Sequence, residues 1–258
     1  MKPALIYSNA HNLEAVVLKP VNKENQKKPA IVFVQGSGFG KPVIYTKIPH
    51  LARYAKAGYV VMSICHRSCR EGHPFPAYLE DVKCGIRYLR AHAEEYGIDP
   101  EKIGILGTSS GANAAMLAAM TSNDPRYKTE EYAEYSDHVA CAAECFGPSL
   151  MEKMPEELLA KLRGPLSGSR DAMEVMREMS PYYLVNEHSQ TPPLLILHGD
   201  ADPVVPYEQG KLLYDKMTSL GKNVEMIRIE GADHESSSWS EEVYALIHEF
   251  FDQHLKTL

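Results

Sequence analysis

A serine hydroxyl becomes a useful nucleophile only when a neighbouring base can take its proton. Ser109 sits in a setting that suits this chemistry. It is the centre of Gly107-Thr108-Ser109-Ser110-Gly111, directly after the apolar run Ile103-Gly104-Ile105-Leu106 and before an alanine-rich stretch from about Ser110 to Met120. A G-x-S-x-G sequence between strand and helix lifts its serine clear of a sheet on a strained turn, and small flanking residues avoid a clash there. The candidate base is His234, in the loop Gly231-Ala232-Asp233-His234-Glu235 that follows Val224–Ile229. A base needs an acid to fix its tautomer and support its charge. The loop His198-Gly199-Asp200-Ala201-Asp202-Pro203-Val204-Val205-Pro206 offers two aspartates. Asp202 lies farther beyond the strand end and is taken as the acid; Asp200 is assigned to capping the turn. Acyl transfer also needs N–H donors for a developing oxyanion. The turn Gln35-Gly36-Ser37-Gly38-Phe39 can supply them from Ser37 and Gly38, beside the N–H of Ser110.

Positioning these groups needs a sheet whose strands end at one rim, because open parallel sheets bind ligands beyond the carboxyl ends of their strands. Short apolar runs at 31–34, 59–64, 103–106, 139–143, 194–197 and 224–229 read as strands, mostly buried on both faces. Helical spacing lies between them. Ile48, Leu51, Tyr54 and Ala55 mark a helix stopped at Gly58, and Leu79, Val82, Ile86, Leu89 and Ala93 mark one face of a longer one closed by Gly97. A C-terminal amphipathic helix is expected from about Ser238 to His254. Alternating strands and helices predict an α/β fold, a mostly parallel sheet with helices on both faces. Residues 148–192 carry no strand pattern. Pro155 to Arg163 reads as a helix ending at Gly164, and Asp171 to Met179 as another stopped by Ser180-Pro181. This segment is expected to be a helical lid inserted in a single domain spanning 1–258, being too small to hold its own core. The polar run at 22–28 is expected to be an exposed turn between strands.

The chain has 258 residues, 44% of them hydrophobic and 24% charged, which suits one folded α/β domain. Lys and Arg total 27 against 34 Asp and Glu, a net charge of −7. That balance argues against nucleic acid and anionic membrane as partners. No apolar run is long enough to span a bilayer, and the first residues carry no secretion-signal pattern. The five cysteines, Cys65, Cys69, Cys84, Cys141 and Cys145, form no C-x-x-C pair and read as reduced thiols of a cytoplasmic protein. A metal site from Cys65, Cys69 and His66 would lack a fourth ligand. No metal or cofactor is expected.

Taken together, these motifs resemble an α/β-hydrolase of the acetyl esterase/feruloyl-esterase-like (BD-FAE type) branch, related to the hormone-sensitive-lipase-type esterases. The resemblance runs from about Pro29 to the C-terminus and includes the stretches 74–83, 96–103, 146–148 and 198–206. In that family's pattern the aspartate before Pro203 is the acid, which again selects Asp202, and His198 resembles a structural histidine. This chain departs from the family by carrying Gln35-Gly36-Ser37-Gly38 in place of His-Gly-Gly-Gly. It also carries Thr108 and Ser110 where glutamate and alanine are common. The resemblance implies hydrolysis of carboxylic esters through an acyl-serine, on short-acyl (acetyl) or aryl esters of sugars or other small alcohols. The rival readings are a peptidase, a lactone or thioester hydrolase, or a non-catalytic binding protein of the same fold; a homo-oligomer is left open. Candidate substrate contacts are Phe39, Arg67, Met176 and Trp239. For Arg67 the competing reading is a structural ion pair, and for Met173, Met176 and Met179 it is lid packing. Asp81 reads as a structural carboxylate at a helix start.

Overall fold

The computed structural model describes residues 4–21 and 26–256. At the centre of the fold is an eight-stranded sheet. β1 (Leu5–Ser8), β2 (Leu13–Leu18) and β4 (Val60–Ile64) pair antiparallel. From β4 onward the pairing is parallel through β3 (Lys28–Val34), β5 (Ile98–Thr108), β6 (Cys141–Cys145), β7 (Leu194–Gly199) and β8 (Val224–Ile229). The fold is the α/β class expected. Successive side chains along β3 serve opposite cores: Val32 and Val34 join one apolar cluster, Ile31 and Phe33 the other. α2 (Ala77–Ala91), α4 (Ser110–Met120) and α8 (Glu208–Ser219) cover the first face, and α1 (Ile48–Lys56) and α9 (Glu241–Leu255) the second. A short α3 (Ala93–Tyr96) leads into β5.

Several boundaries move from their sequence-based positions. β6 starts at Cys141, and α9 starts at Glu241, where the Ser240 side chain caps the Val243 N–H. Between β6 and β7 lie α5 (Glu156–Ser167), α6 (Ala172–Glu178) and α7 (Pro181–Leu184). α5 does not end at Gly164 but continues through Pro165, whose position close to the helix end disrupts little of the ladder. α6 begins after Asp171, which caps the Glu174 N–H at 2.9 Å. Pro181 opens α7, since proline suits the first position of a helix. Of the exposed turn expected at 22–28, residues 22–25 lie outside the described residues, and Lys28 already belongs to β3.

Candidate active site

The rim formed by the carboxyl ends of β3, β5, β7 and β8 gathers the groups singled out above. Ser109 joins β5 to α4 at φ 51°, a region costly for a residue with a side chain. Its N–H bonds the Cys145 carbonyl at 2.9 Å, and its own carbonyl accepts the N–H of Ala112. The turn closes only around glycine. A Cβ on Gly107 would stand 2.3 Å from the Gly111 carbonyl oxygen, and one on Gly111 would stand 2.2 Å from that of Val34. These contacts explain the small residues on both sides of the serine.

His234 Nε2 lies 2.9 Å from Ser109 Oγ, and its Nδ1 lies 2.6 Å from Asp202 Oδ2. The structure thus joins Ser109, His234 and Asp202 in one hydrogen-bonded line. With the carboxylate as acceptor, Nδ1 carries the imidazole proton and Nε2 faces the hydroxyl as a base. Asp202 is fully buried at its side chain. Burial alone would raise its pKa. Contacts from His198 and His234 and the N–H groups of Val205 and Val204 outweigh that and hold the carboxyl well below the usual carboxylate range. Asp200 points elsewhere: it pairs with Arg228 at 2.6 Å and accepts the Gly231 N–H at 2.7 Å, pinning β7 to the loop after β8.

The turn after β3 departs from expectation at one atom. The Ser37 N–H donates to the Ser110 hydroxyl at 2.9 Å, so it is not available to an oxyanion. The Gly36 N–H is likewise taken by Thr108 Oγ1 at 2.8 Å. Thr108 and Ser110, the two elbow positions that differ from the family pattern, therefore tie the turn to the nucleophile elbow. Sequence reading missed this, because nothing local pairs the two segments. Gly38 has φ +57°, and the N–H groups of Gly38 and Ser110 have no acceptor among the described residues.

Beside Ser109 opens a cavity of about 70 Å³, lined by Gly38, Phe39, Met151, Leu158, Leu162 and Val205 among others. Phe39 is thus at the site. The other three expected contacts are not. Arg67 is held by Asp81, through its own N–H at 2.7 Å and its Nε at 2.9 Å, and by Glu80 at 2.8 Å, so its charge is spent on α2. That pairing, rather than the helix dipole, is what Asp81 serves. Met176 is buried in the core beneath the helices, while Met173 on the same expected stripe is 55% exposed. Trp239 stacks on Tyr244 at 5.3 Å and touches the edge of Phe146, and it is Phe146 that meets the His234 ring at 4.9 Å. Trp239 therefore stands one layer behind the site. The cavity's leucines were missed because their helical spacing reads the same whether they pack a core or line a pocket.

Residues 17–217 match the BD-FAE family. The chain belongs to the BD-FAE family. Among curated relatives, this BD-FAE chain is 29% identical over 216 residues to the esterase LipC of Mycobacterium tuberculosis, covering 80% of this chain and 52% of the relative. The chain therefore spans about half the length of the curated relatives it matches. Among solved structures, a truncated carbohydrate esterase from gut microbiota is 28% identical with a TM-score of 0.85, covering 98% of this chain and 95% of that one. A butyrate-bound esterase from Thermogutta terrifontis is 26% identical with a TM-score of 0.82, covering 97% and 93%. The fold of this BD-FAE member is that of the α/β-hydrolase esterases.

Proposed function

We propose that this chain is a serine carboxylic ester hydrolase acting through an acyl-Ser109 intermediate on short-acyl esters of small alcohols, sugars among them. The observation that carries the reading is the unbroken line from Ser109 Oγ through His234 to Asp202, at 2.9 and 2.6 Å. As Ser109 Oγ attacks the ester carbonyl carbon, its proton passes to His234 Nε2, and Asp202 supports the imidazolium. The N–H groups of Gly38 and Ser110 receive the oxyanion. Collapse expels the alcohol, which takes the proton from His234. Water then repeats the sequence on the acyl-serine and releases the acid.

The apolar cavity of about 70 Å³ holds an acyl chain of only a few carbons. Butyrate and propionate bound to the Thermogutta esterase support that size, and its phosphonylation by sarin supports an activated nucleophile in such a protein. The gut carbohydrate esterase supports a sugar as the alcohol. We read α5, α6 and α7 as a cap inserted into one domain, because α5 lines the cavity. All five cysteines are buried and unpaired, which supports a reducing, cytoplasmic setting. No step needs a metal or cofactor.

Nitrophenyl esters of graded acyl length test the reading. Turnover is expected for acetate to butyrate and a fall beyond, and Ser109→Ala is expected to lower kcat by at least about a thousandfold. Equal rates in both proteins would favour a non-catalytic binding module of the same fold.

A further inference from the structure

Lys47 and Glu235 each break a local rule. Lys47 caps the start of α1, and its carbonyl accepts the Leu51 N–H at 2.9 Å. The positive end of the helix dipole disfavours a cation there. Glu235 follows His234 directly and has φ +81°, a region that glycine adopts freely and a residue with a side chain does not. Such local exceptions gather at functional sites, where a distant contact offsets them. Here each residue offsets the other. Lys47 Nζ lies 2.6 Å from Glu235 Oε1, with the two side chains 15% and 34% exposed. Charge holds the pair, since Oε1 has no aligned hydrogen-bond donor among the described residues.

The contact meets the histidine loop on its less fastened side. Before His234 the loop is tied to the end of β7. Asp200 accepts the Gly231 N–H, and the Ala201 N–H donates to the Ala232 carbonyl at 3.1 Å. After His234 the hydrogen bonds turn back into the loop itself. The Asp233 carboxylate accepts the Ser236 and Ser237 hydroxyls at 2.8 and 2.7 Å. The Ser238 hydroxyl donates to the Asp233 carbonyl at 2.9 Å, and the Ser236 N–H to that of His234 at 3.1 Å. Such bonds keep the loop's shape but not its place. Lys47 fixes the place from a different element. Its ammonium also lies 5.7 Å from the centre of the Trp239 ring. Trp239 in turn stands against Phe146, whose ring meets His234. One lysine at the start of α1 thus holds both ends of the segment 235–239.

We propose that Lys47 and Glu235 form a latch between α1 and the histidine loop, and that both are positioning residues which keep His234 Nε2 within reach of Ser109 Oγ. The latch rests on the reading of Ser109, His234 and Asp202 as the reacting line. Nε2 stands 2.9 Å from Oγ, and proton transfer fails when such a pair drifts apart. Lys47 acts through Glu235, and Glu235 through the backbone it shares with His234.

Lys47→Met keeps the stem and removes the charge; Glu235→Gln keeps the shape and removes the charge. Each is expected to lower kcat for nitrophenyl acetate by about ten- to a hundredfold, while KM stays within about twofold of wild type. The double variant is expected to lose no more than either single one, as for two halves of one contact. Arg53→Met is the control. It breaks the ion pair of the same helix with Glu241 and is expected to leave kcat unchanged. The latch can also be read without turnover. The downfield imidazole proton that His234 gives to Asp202 is expected to be sharp in wild type and to broaden by exchange with water in Lys47→Met. An unchanged kcat in either single variant, additive losses in the double variant, or an equal loss in Arg53→Met would overturn the proposal. Should Lys47→Met fail to fold, Glu235→Gln carries both measurements. Activity that survives Ser109→Ala would instead remove the esterase reading. The imidazole proton then judges the latch, and a signal unmoved by Lys47→Met ends it.

Discussion

Asp200 and Asp202 stand two residues apart in one loop, and only one of them meets an imidazole. The Asp202 side chain is wholly buried and receives His234 Nδ1. Asp200 pairs with Arg228, whose side chain is 63% exposed. Asp202→Asn cannot accept that N–H in the same way and leaves His234 in the wrong tautomer. It is expected to lower kcat by about ten-thousandfold. Asp200→Asn removes an exposed ion pair of small worth and is expected to keep kcat within about threefold of wild type. Turnover of a nitrophenyl acetate by the two variants checks this, and the reverse order would move the acid to Asp200. The triad residues were legible because each lies just past a strand end, in a loop with glycine or proline around it. For Arg67 and Met176 the sequence offered a structural reading beside the substrate one and nothing local to choose between them. An arginine near a strand end reads the same whether its partner is a substrate or Asp81.

The turns joining strand to helix depend on close backbone approach. Gly111 packs α4 against the end of β3, where a Cβ would stand 2.2 Å from the Val34 oxygen, 2.7 Å from its carbon and 2.8 Å from the Gln35 carbon. All three neighbours are backbone, so none can swing aside. Gly111→Ala is expected to cost about 1–3 kcal/mol of stability. It should also lower turnover more than stability alone explains, because it displaces the turn that presents Gly38. Thermal unfolding followed in parallel with ester hydrolysis separates the two effects. The glycines at the elbow announced themselves in the sequence. The hydroxyls of Thr108 and Ser110 did not, since their partners Gly36 and Ser37 are more than 70 residues away.

At the scale of the whole molecule, α2 is enclosed on every side. Its apolar spacing marks one face, yet Lys83 and Arg87 are also fully buried and both reach Asp137, at 3.0 and 3.4 Å. Lys83 further donates to the Thr121 carbonyl, and Arg87 to Thr129. One carboxylate thus anchors the long connection between α4 and β6 over the helix. Asp137→Ala would leave two buried cations without their anion and is expected to destabilise the fold by about 3–5 kcal/mol. Chemical denaturation measures this, and a loss within about 0.5 kcal/mol, as for an exposed site, would show that the cations find other partners.

Local rules settled much of this protein in advance. Apolar runs too short for helices read as strands, most of them buried on both faces, glycine had to flank the serine, and the strand-end loops had to carry the chemistry. These properties depend on neighbours within a few residues. The tertiary structure alone decided which N–H groups remain open beside Ser109, which charges are used up inside, and that α5 lines the cavity. Each of those depends on atoms far apart in the chain, and no spacing along a sequence records a distance across a fold.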